Sequence, residues 1–239
     1  MDVYWLEQSE GDMPTENQWL SAEEILCLAS LRFLKRRSDW CLGRWTAKRA
    51  VAACLNLPDD VHSLANIEIL AAASGAPEVF LFKETGTVTI SLSHSGGNAL
   101  CTVAPYEVGL GCDLEVIEPR SDAFVTDYFT AYEQRLVETA PHQQRPLLST
   151  ALWSAKESSL KALHEGLRLE TTCMEVQLLD ALPPEDQECW RPVRLLSPDV
   201  DGWRPLQVSF RGAPTFHGWW RAEDRIVRSV VSARTKEYR

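Results

Sequence analysis

Apolar side chains recur at helical spacing in the first quarter of the chain. A capping box, Ser21-Ala-Glu-Glu24, opens this pattern, so a helix is predicted to start there. Its apolar positions are Ile25, Leu26, Leu28, Leu31 and Leu34. A second helix is predicted over residues 39–55 and ends before Pro58, and residues 2–6 are predicted to form a short strand ahead of both helices.

The pattern then changes to alternation, which predicts strands. Four of them follow the helices, at Asn66–Leu70, Glu78–Phe82, Val88–Leu92 and Ala99–Ala104. Another capping box, Thr130-Ala-Tyr-Glu133, predicts a helix to about Ala140. Later strands are predicted at Cys173–Leu179, Leu206–Phe210, Thr215–Arg221 and Ile226–Val231, and residues 183–202 are predicted to form a surface loop. Helices and short strands in this order indicate a mixed α+β fold.

The strand predicted over Val108–Ile117 has two chemically different faces. Leu110, Cys112, Leu114 and Val116 share one face, and Gly109, Gly111, Asp113 and Glu115 share the other. Glycine lets a ligand approach the backbone, and two carboxylates at this spacing can share one divalent cation. An exposed strand face that carries two acids is the alternative interpretation.

The stretch Leu152–Leu163 also has helical periodicity. Its apolar positions are Trp153, Leu160, Leu163 and the later Leu167, and its polar stripe is Ser154, Glu157, Ser158 and Lys161. A carboxylate and an ammonium one turn apart could both reach a phosphate and its metal ion. The alternative is an ordinary surface ion pair, worth about 0.2–0.5 kcal/mol.

Size and composition narrow the class of protein. A chain of 239 residues can form one large domain or two lobes of about 100–120 residues each. No apolar run reaches the ~18 residues that span a bilayer, and the N-terminus lacks the basic start of a signal peptide. Seven cysteines without a Cys-x-x-Cys pair indicate reduced thiols and argue against structural zinc. We therefore expect a cytoplasmic protein that is not bound to membranes.

The net charge of −10 is unevenly distributed. Residues 32–49 contain seven basic side chains and one acid, so this segment carries +6. An acidic chain argues against nonspecific nucleic-acid binding, whereas a compact positive patch suggests a small polyanion or an acidic partner. A basic helix face exposed only to solvent is the alternative.

A turn rich in small residues, Ser93-His-Ser-Gly-Gly97, separates two of the predicted strands. Backbone amides in such a turn can receive a phosphate, with His94 as a further donor. A simple hairpin turn is an equally good interpretation. A serine hydrolase that uses Ser93 or Ser95 with His94 is poorly supported, because adjacent side chains diverge and no G-x-S-x-G elbow is present.

Three of these motifs together resemble the Sfp-type 4'-phosphopantetheinyl transferases. That family combines a G-x-D-x-E strand with a W-S-x-K-E-[SA]-x-x-K helix roughly 40–45 residues later and a Ser-His-Ser turn upstream. Here the strand motif carries Asp113, the helix motif carries Glu157 at 44 residues' distance, and the turn is Ser93-His-Ser95. The basic second helix and the segment Glu165–Leu169 also resemble the family.

The resemblance implies a fold and a reaction. The expected fold is a monomer of two similar lobes related by a pseudo-twofold axis, over residues 1–107 and 108–239, with the active site at the lobe interface. The expected reaction moves the 4'-phosphopantetheine arm of coenzyme A to a serine of an apo acyl or peptidyl carrier protein and releases 3',5'-ADP. Fatty-acid, polyketide or nonribosomal peptide synthesis would use such a product.

The resemblance also implies residue roles. The expected ligands of a catalytic Mg²⁺ are Asp113, Glu115 and Glu157, and Glu157 is also the expected base for the carrier serine. Lys161 is expected to stabilise the leaving group. Coenzyme A is expected to contact Arg44, Lys48, Gly75, Pro77, Ser93, His94, Lys156 and Lys161, with help from Lys35 to Arg37. Three aromatic residues, Phe124, Tyr128 and Phe129, are candidates for docking the carrier, although core packing is expected of at least one.

One position departs from the family pattern. Ala76 stands where the family has the lysine of Gly-Lys-Pro, and we expect weaker coenzyme binding there unless Lys83 or the basic segment compensates. A noncatalytic protein of the same fold that binds coenzyme A or a carrier is the alternative function.

Overall fold

The computed structural model describes residues 2–105, 108–164, 169–181, 192–196, 202–210 and 213–234. The chain divides into two compact units, Met1–Glu107 with Pro192–Val200, and Val108–Arg191 with Asp201–Arg239. The second unit begins at the residue where the second lobe was predicted to begin. The division differs from the prediction in one respect, since residues 192–200 belong to the first unit. The twofold relation between the lobes stays a prediction.

The first unit combines two antiparallel hairpin systems with a long helix. Its elements in chain order are β1 (Val3–Ser9), α1 (Ala22–Ser30), α2 (Leu34–Cys54), α3 (Val61–Leu64), β2 (Ile67–Ala71), β3 (Pro77–Leu81), β4 (Glu84–Thr85), β5 (Val88–Ser95) and β6 (Asn98–Pro105). One sheet has the order β2-β3-β4, and another contains β5, β6 and β1 side by side. The helix α2 packs on β6 and β1 and buries Leu42, Ala47 and Val51.

The second unit is a five-stranded sheet with one long helix across it. Its elements are β7 (Val108–Val116), α4 (Asp122–Tyr128), α5 (Ala131–Thr139), α6 (Arg145–Ala162), β8 (Met174–Leu178), β10 (Arg204–Phe210), β11 (Ala213–Glu223) and β12 (Ile226–Arg234). The strand order is β7-β12-β11-β10-β8, and every neighbouring pair is antiparallel. The α6 helix packs mainly on β7 and β12. Helices packed on antiparallel sheets confirm the predicted α+β class.

Three predicted elements differ from the structure. The first helix was predicted to run through Leu31 and Leu34, but α1 ends at Ser30 and Leu34 is the first residue of α2. The segment predicted as a loop over residues 183–202 contains a strand, β9 (Pro192–Arg194), which pairs in parallel with β1. Three residues are too few for alternation to be recognised. The second helix begins at Leu34 and not near residue 39. Its first turn was missed because that turn is exposed and its side chains form no apolar face. The predicted helical position of Leu167 and the Glu165–Arg168 part of the family-like segment lie outside the described residues.

A fully buried ion pair fixes α2 to the rest of the first unit. The Lys48 ammonium lies 2.5 Å from the Glu24 carboxylate, and both side chains are completely buried. Lys48 also donates to the carbonyls of Trp19 and Leu64, at 2.8 and 3.1 Å. Glu24 accepts from the Ser21 amide as part of the capping box and from the Ile69 amide of β2 at 3.0 Å. One glutamate therefore connects the start of α1, a strand and the long helix.

The second unit contains the same arrangement. Lys156 on α6 lies 2.8 Å from the buried Glu133 carboxylate and donates to the carbonyls of Thr171 and Met174. Glu133 completes the capping box of α5 and accepts from the Val176 amide of β8 at 2.8 Å. In each unit, therefore, a capping-box glutamate pairs with a lysine of the long helix. The two units therefore share this combination of a capping box and a buried lysine.

The positions of Lys48 and Lys156 contradict the prediction that they contact coenzyme A. Both side chains are fully buried, and in each the three N–H groups of the ammonium already have three acceptors. Burial lowers the pKa of each lysine, and the paired glutamate opposes that effect. Their role is to fix the helices.

The α6 helix approaches β7 very closely at Gly111. A β-carbon at this position would lie 1.7 Å from the carbonyl oxygen of Ser158, so only glycine permits the contact. We expected Gly111 to admit a ligand, and that expectation is wrong at this position, because the helix itself fills the space. The contact determines how the residues of α6 stand above those of β7.

No helix among the described residues has the length and apolar character needed to cross a membrane. The six described cysteines, Cys27, Cys41, Cys54, Cys101, Cys112 and Cys173, are free thiols.

Replacing Lys48 by methionine should destabilise the protein strongly. The Glu24 carboxylate would stay buried without a cation, a loss of about 3–5 kcal/mol in the free energy of unfolding, measurable by urea denaturation. The control is Lys35→Met, which removes an exposed ion pair with Asp39 and should change stability by about 0.5 kcal/mol or less. Equal effects of the two substitutions would contradict the structural role of Lys48.

Replacing Gly111 by alanine should separate α6 from β7. Overpacking of this kind typically lowers the free energy of unfolding by about 1–3 kcal/mol. A clash with backbone atoms should cost at least the upper part of that range. The matched control is Gly43→Ala in α2, where an added β-carbon meets nothing within 4 Å and should stabilise the helix by roughly 0.5–1 kcal/mol. Thermal melting of both variants tests this, and the prediction fails if Gly111→Ala melts like the unmodified protein.

Candidate active site

The predicted acidic residues of β7 face α6. Asp113 is only 4% exposed, and its Oδ1 accepts a hydrogen bond of 2.8 Å from Lys161. Lys161 also donates to the carbonyl of Cys112 at 3.0 Å. Burial is the largest single influence on Lys161 and lowers its pKa, but the charge and hydrogen bond of Asp113, together with Cys112 and Glu157, outweigh burial, so the pKa of Lys161 is raised. The ammonium is therefore held in its charged form beside β7.

Glu115 is held by two side chains. Its Oε1 accepts from the indole Nε1 of Trp153 at 3.1 Å, and its Oε2 lies 3.2 Å from Arg120. Burial raises the pKa of Glu115, and the neighbouring Asp113 charge raises it further. The tryptophan of the helix motif thus contacts the second acid of the strand motif directly.

Glu157 belongs to the same group of charges. It is half-buried on α6, one turn before Lys161. Burial raises its pKa, as does repulsion from Asp113 and, more weakly, from Glu115, whereas Lys161 opposes the shift. The three predicted carboxylates therefore lie close enough to repel one another, which is the arrangement that a bound cation would relieve.

These carboxylates offer the oxygen ligands that a divalent cation such as magnesium prefers. Among the described residues, no three His, Cys, Asp or Glu side chains stand together closely enough to hold a metal ion alone. Magnesium usually binds through one or two carboxylates and keeps water and substrate phosphate as its other ligands. An oxygen-only set that leaves coordination positions open fits that preference.

The serines of the predicted polar stripe face the sheet. Ser154 and Ser158 are fully buried and share hydrogen bonds with Ser229 of β12, at 2.7 and 2.5 Å between hydroxyl oxygens. The predicted polar stripe is thus divided between a serine face against the sheet and the pair Glu157 and Lys161. Small hydroxyls allow the helix to lie close to the strands while each buried polar atom keeps a partner.

The predicted aromatic cluster is present beside these acids. The rings of Phe124, Tyr128 and Trp153 lie about 5 Å apart, from 4.8 to 5.2 Å between centroids. Phe129 belongs to the core, as expected of at least one member, and Tyr128 is exposed. Arg120 lies over the Phe124 ring, 4.9 Å from its centroid. Docking of a carrier on this cluster stays a prediction.

Arg120 is a site residue that sequence analysis missed. It joins Glu115 to the aromatic cluster, but it follows Pro119 outside any periodic element, so no pattern pointed to it. A basic residue a few positions after a G-x-D-x-E strand was the available signal.

In the first unit, Arg44 is the best placed of the predicted anion-binding residues. Its guanidinium lies over the Trp40 ring, 4.8 Å from the centroid, and burial lowers its pKa. Its Nε is buried and has no hydrogen-bond partner among the described residues. A half-buried arginine with an unused donor is suited to bind an anion.

The other predicted residues of this unit lie on turns and strand ends. His94 is exposed on β5, and Ser93 beside it is buried. Gly96 and Gly97 have φ values of +58° and +77°, which close a tight hairpin between β5 and β6. Gly75 is exposed in a turn at φ +90°, and Pro77 begins β3. The hairpin interpretation of the turn is thus correct, and the phosphate-binding roles of these residues stay predictions.

Comparison with known proteins gives consistent results. The profile of the 4'-phosphopantetheinyl transferase superfamily matches residues 109–217. The chain is 26% identical over 200 residues to the 4'-phosphopantetheinyl transferase HetI of Nostoc sp., covering 81% of both proteins. It is 32% identical over 84 residues to a holo-[acyl-carrier-protein] synthase of Streptococcus agalactiae, covering 35% of this chain and 71% of that protein.

Among solved structures, the holo-[acyl-carrier-protein] synthase of Helicobacter pylori in complex with coenzyme A aligns with a TM-score of 0.34 and 19% identity. The alignment covers 43% of this chain and 98% of that one. The residues matched by the family model include the strand that carries Asp113 and Glu115 and the helix that carries Glu157 and Lys161. This chain therefore belongs to the 4'-phosphopantetheinyl transferase superfamily.

Proposed function

We propose that this protein transfers the 4'-phosphopantetheine arm of coenzyme A to a serine of an apo acyl or peptidyl carrier protein. The serine oxygen forms a bond to the phosphorus that bears the pantetheine. The bond from that phosphorus to the bridging oxygen breaks, and 3',5'-ADP leaves with the electron pair. The serine proton is taken up by a base on the enzyme.

One observation carries this proposal. Lys161 bridges from α6 to Asp113 on β7 at 2.8 Å, next to the carboxylates of Glu115 and Glu157. Phosphoryl transfer from a pyrophosphate requires cations that balance the oxygens and a base for the nucleophile. This group of side chains supplies both from two rigid elements.

Glu157 is the proposed base. A serine hydroxyl is a weak nucleophile until a base lies within hydrogen-bond reach. Glu157 is half-buried and, among the described contacts, accepts no hydrogen bond from a protein donor. Its carboxylate is therefore available to the serine, unlike that of Glu115, which Trp153 and Arg120 already hold.

Lys161 is the proposed stabiliser of the leaving group. Among the described residues, two of its three N–H groups have acceptors, and the third is proposed to bind a phosphate oxygen. Lys156 is excluded from this role because its three donors are all used inside the unit.

Asp113, Glu115 and Glu157 are the residues from which Mg²⁺ is proposed to take its one or two protein ligands, because the three do not stand close enough together to hold an ion alone. When bound, the ion would neutralise the pyrophosphate oxygens and polarise the reacting phosphorus. Asp113 keeps Lys161 in place, and Trp153 and Arg120 fix the orientation of Glu115.

Coenzyme A has further proposed contacts in the first unit. Half-buried Arg44 is proposed to bind the 3'-phosphate, and exposed His94 is proposed to bind another phosphate. Ala76 stands where the family pattern has a lysine, so one expected positive charge is absent at that position and we expect coenzyme A to bind more weakly. We place the enzyme in the cytoplasm as a monomer, and the carriers of fatty-acid, polyketide or peptide synthesis are its substrate class.

The deciding experiment is incubation with coenzyme A, Mg²⁺ and an apo carrier protein, followed by mass spectrometry of the carrier. A gain of the phosphopantetheine arm supports the proposal. An unmodified carrier together with measurable binding of coenzyme A would indicate the noncatalytic alternative. Trials with acyl and peptidyl carriers would identify the preferred substrate.

Glu157→Gln and Asp113→Asn should each lower the rate of transfer by roughly 100-fold or more, since one removes the base and the other a ligand and the partner of Lys161. Coenzyme binding, followed by calorimetry, should remain. Glu138→Gln, which removes an exposed carboxylate of α5, is the control and should retain full activity. Normal rates in both site variants would remove the basis of the proposed chemistry.

Lys161→Gln should lower kcat by about 100-fold and change KM for coenzyme A much less. The reason is that a cation which acts on the leaving group contributes mainly in the transition state. Lys161→Arg should restore part of the rate because it keeps the charge. Steady-state kinetics on variants with native melting curves test this, and a raised KM at unchanged kcat would assign Lys161 to substrate binding alone.

A further inference from the structure

The ring of Phe124 lies at the centre of the aromatic cluster beside the candidate active site. Its centroid is 4.8 Å from that of Tyr128, 5.0 Å from that of Trp153 and 5.9 Å from that of Phe129. The contacts with Trp153 and Phe129 are edge-to-face, an arrangement that the charge distribution of aromatic rings favours. The backbone of Phe124 is also fixed, because its amide donates to the hydroxyl of Ser121, the residue that caps α4. The position of this ring is therefore well defined.

Two neighbours of this ring hold the carboxylate of Glu115. The Trp153 indole donates to Oε1 at 3.1 Å, and the Arg120 guanidinium donates to Oε2 at 3.2 Å. The same guanidinium lies over the Phe124 ring, 4.9 Å from its centroid. Both oxygens of one carboxylate thus accept from donors that contact a single aromatic side chain.

Arg120 depends on the ring for its orientation. Among the described residues, its guanidinium makes one hydrogen bond, which is the bond to Glu115. A single hydrogen bond restrains a long arginine side chain poorly, whereas a cation over an aromatic face is attracted to the ring. Without the Phe124 ring, the guanidinium would be free to turn away from Oε2, and its charge would no longer offset that of the carboxylate.

Ordinary apolar packing makes a different demand on this position. Phe129, which is 1% exposed, belongs to the core, whereas Phe124 is half-buried. Burial is satisfied by any apolar side chain of similar volume, but an edge-to-face contact and a cation–π contact require an aromatic ring. Leucine and tyrosine in place of Phe124 therefore distinguish packing from a role of the ring itself.

We propose that Phe124 is a positioning residue: through Arg120 and Trp153, its ring holds the Glu115 carboxylate in the orientation in which it binds a divalent cation. This inference rests on the proposed function, which makes Glu115 one of the residues that supply ligands to Mg²⁺. Replacing a donor to a metal-binding carboxylate typically lowers metal affinity or activity by about 10–100-fold. Loss of the ring that contacts both donors should act in the same direction.

The first test observes the Trp153 indole directly, without metal or coenzyme. Its Nε1–H resonance is followed by heteronuclear NMR and assigned as the peak that disappears in Trp153→Phe. Glu115→Gln gives the shift that follows when the acceptor loses its charge. Phe124→Leu should move the resonance toward that position because the hydrogen bond to Oε1 is weakened, and Phe124→Tyr should leave it unchanged. Tyr132→Leu, which removes an exposed aromatic side chain of α5, is the control and should also leave it unchanged.

The second test measures the divalent cation. Mn²⁺ is titrated onto the protein with coenzyme A and without a carrier, free Mn²⁺ is read by electron paramagnetic resonance, and a titration of coenzyme A alone is subtracted. Phe124→Leu should weaken Mn²⁺ binding by about tenfold, whereas Phe124→Tyr and Tyr132→Leu should bind as the unmodified protein does. In the transfer assay, the Mg²⁺ concentration for half-maximal rate should rise by a similar factor, while KM for the carrier stays unchanged. If the leucine variant lacks a native melting curve, Phe124→Met replaces it in both tests with the same expected results.

Three outcomes overturn the inference and leave the proposed function intact. An unshifted indole resonance in Phe124→Leu shows that the ring does not position the donors of Glu115. A shifted resonance with normal Mn²⁺ affinity shows that this positioning does not matter to the metal. A raised KM for the carrier at normal Mn²⁺ affinity assigns Phe124 to carrier docking.

Failure of the proposed function gives a different result. An unmodified protein that binds Mn²⁺ and coenzyme A but never modifies a carrier overturns the proposed function, and the shifted resonance and weaker Mn²⁺ binding of Phe124→Leu would still support the positioning role. An unmodified protein that binds no Mn²⁺ in the presence of coenzyme A overturns both.

Discussion

The buried glutamate–lysine pair in each unit is the interaction on which the rest of the structure depends. A lone charge in either core would be very unfavourable, so each pair forms only when the short helix, a strand and the long helix meet. Glu24 and Glu133 each cap one helix and accept from one strand amide, while Lys48 and Lys156 each anchor the long helix to two carbonyls. The pairs thus specify the relative positions of three elements.

The same long helices carry the residues that are proposed to act. Arg44 lies one turn before Lys48 on α2, and Glu157 is the residue next to Lys156 on α6. Fixing the lysine therefore fixes the position of its functional neighbour. Rigid elements hold catalytic groups more exactly than loops do, and a misplacement of about 1 Å can cost about 100-fold in rate.

Much of this structure could be predicted from local sequence patterns. Alternation located the main strands to within about three residues, and both capping boxes marked helix starts. The assignment of Lys48 and Lys156 to coenzyme binding was wrong. A lysine in a basic or motif-rich segment gives the same sequence pattern whether it binds a ligand or a buried acid. A usable signal was the repeat itself, since Lys48 follows Glu24 by 24 residues and Lys156 follows Glu133 by 23. The role of Gly111 was predicted wrongly because a glycine indicates that a side chain would not fit there, but it does not show which group occupies the space.

The contrast between the two lysines of the helix motif follows from helix geometry. Five residues at about 100° each place Lys156 and Lys161 roughly 140° apart around α6, so they point to different surroundings. Lys156 faces the core, where Glu133 and two carbonyls use all its donors, whereas Lys161 reaches β7 and, within the described part of the chain, donates to two acceptors. A motif that spaces two lysines in this way therefore gives them different surroundings: the first orients the helix, and the second is the one proposed to respond to charge that develops on a phosphate.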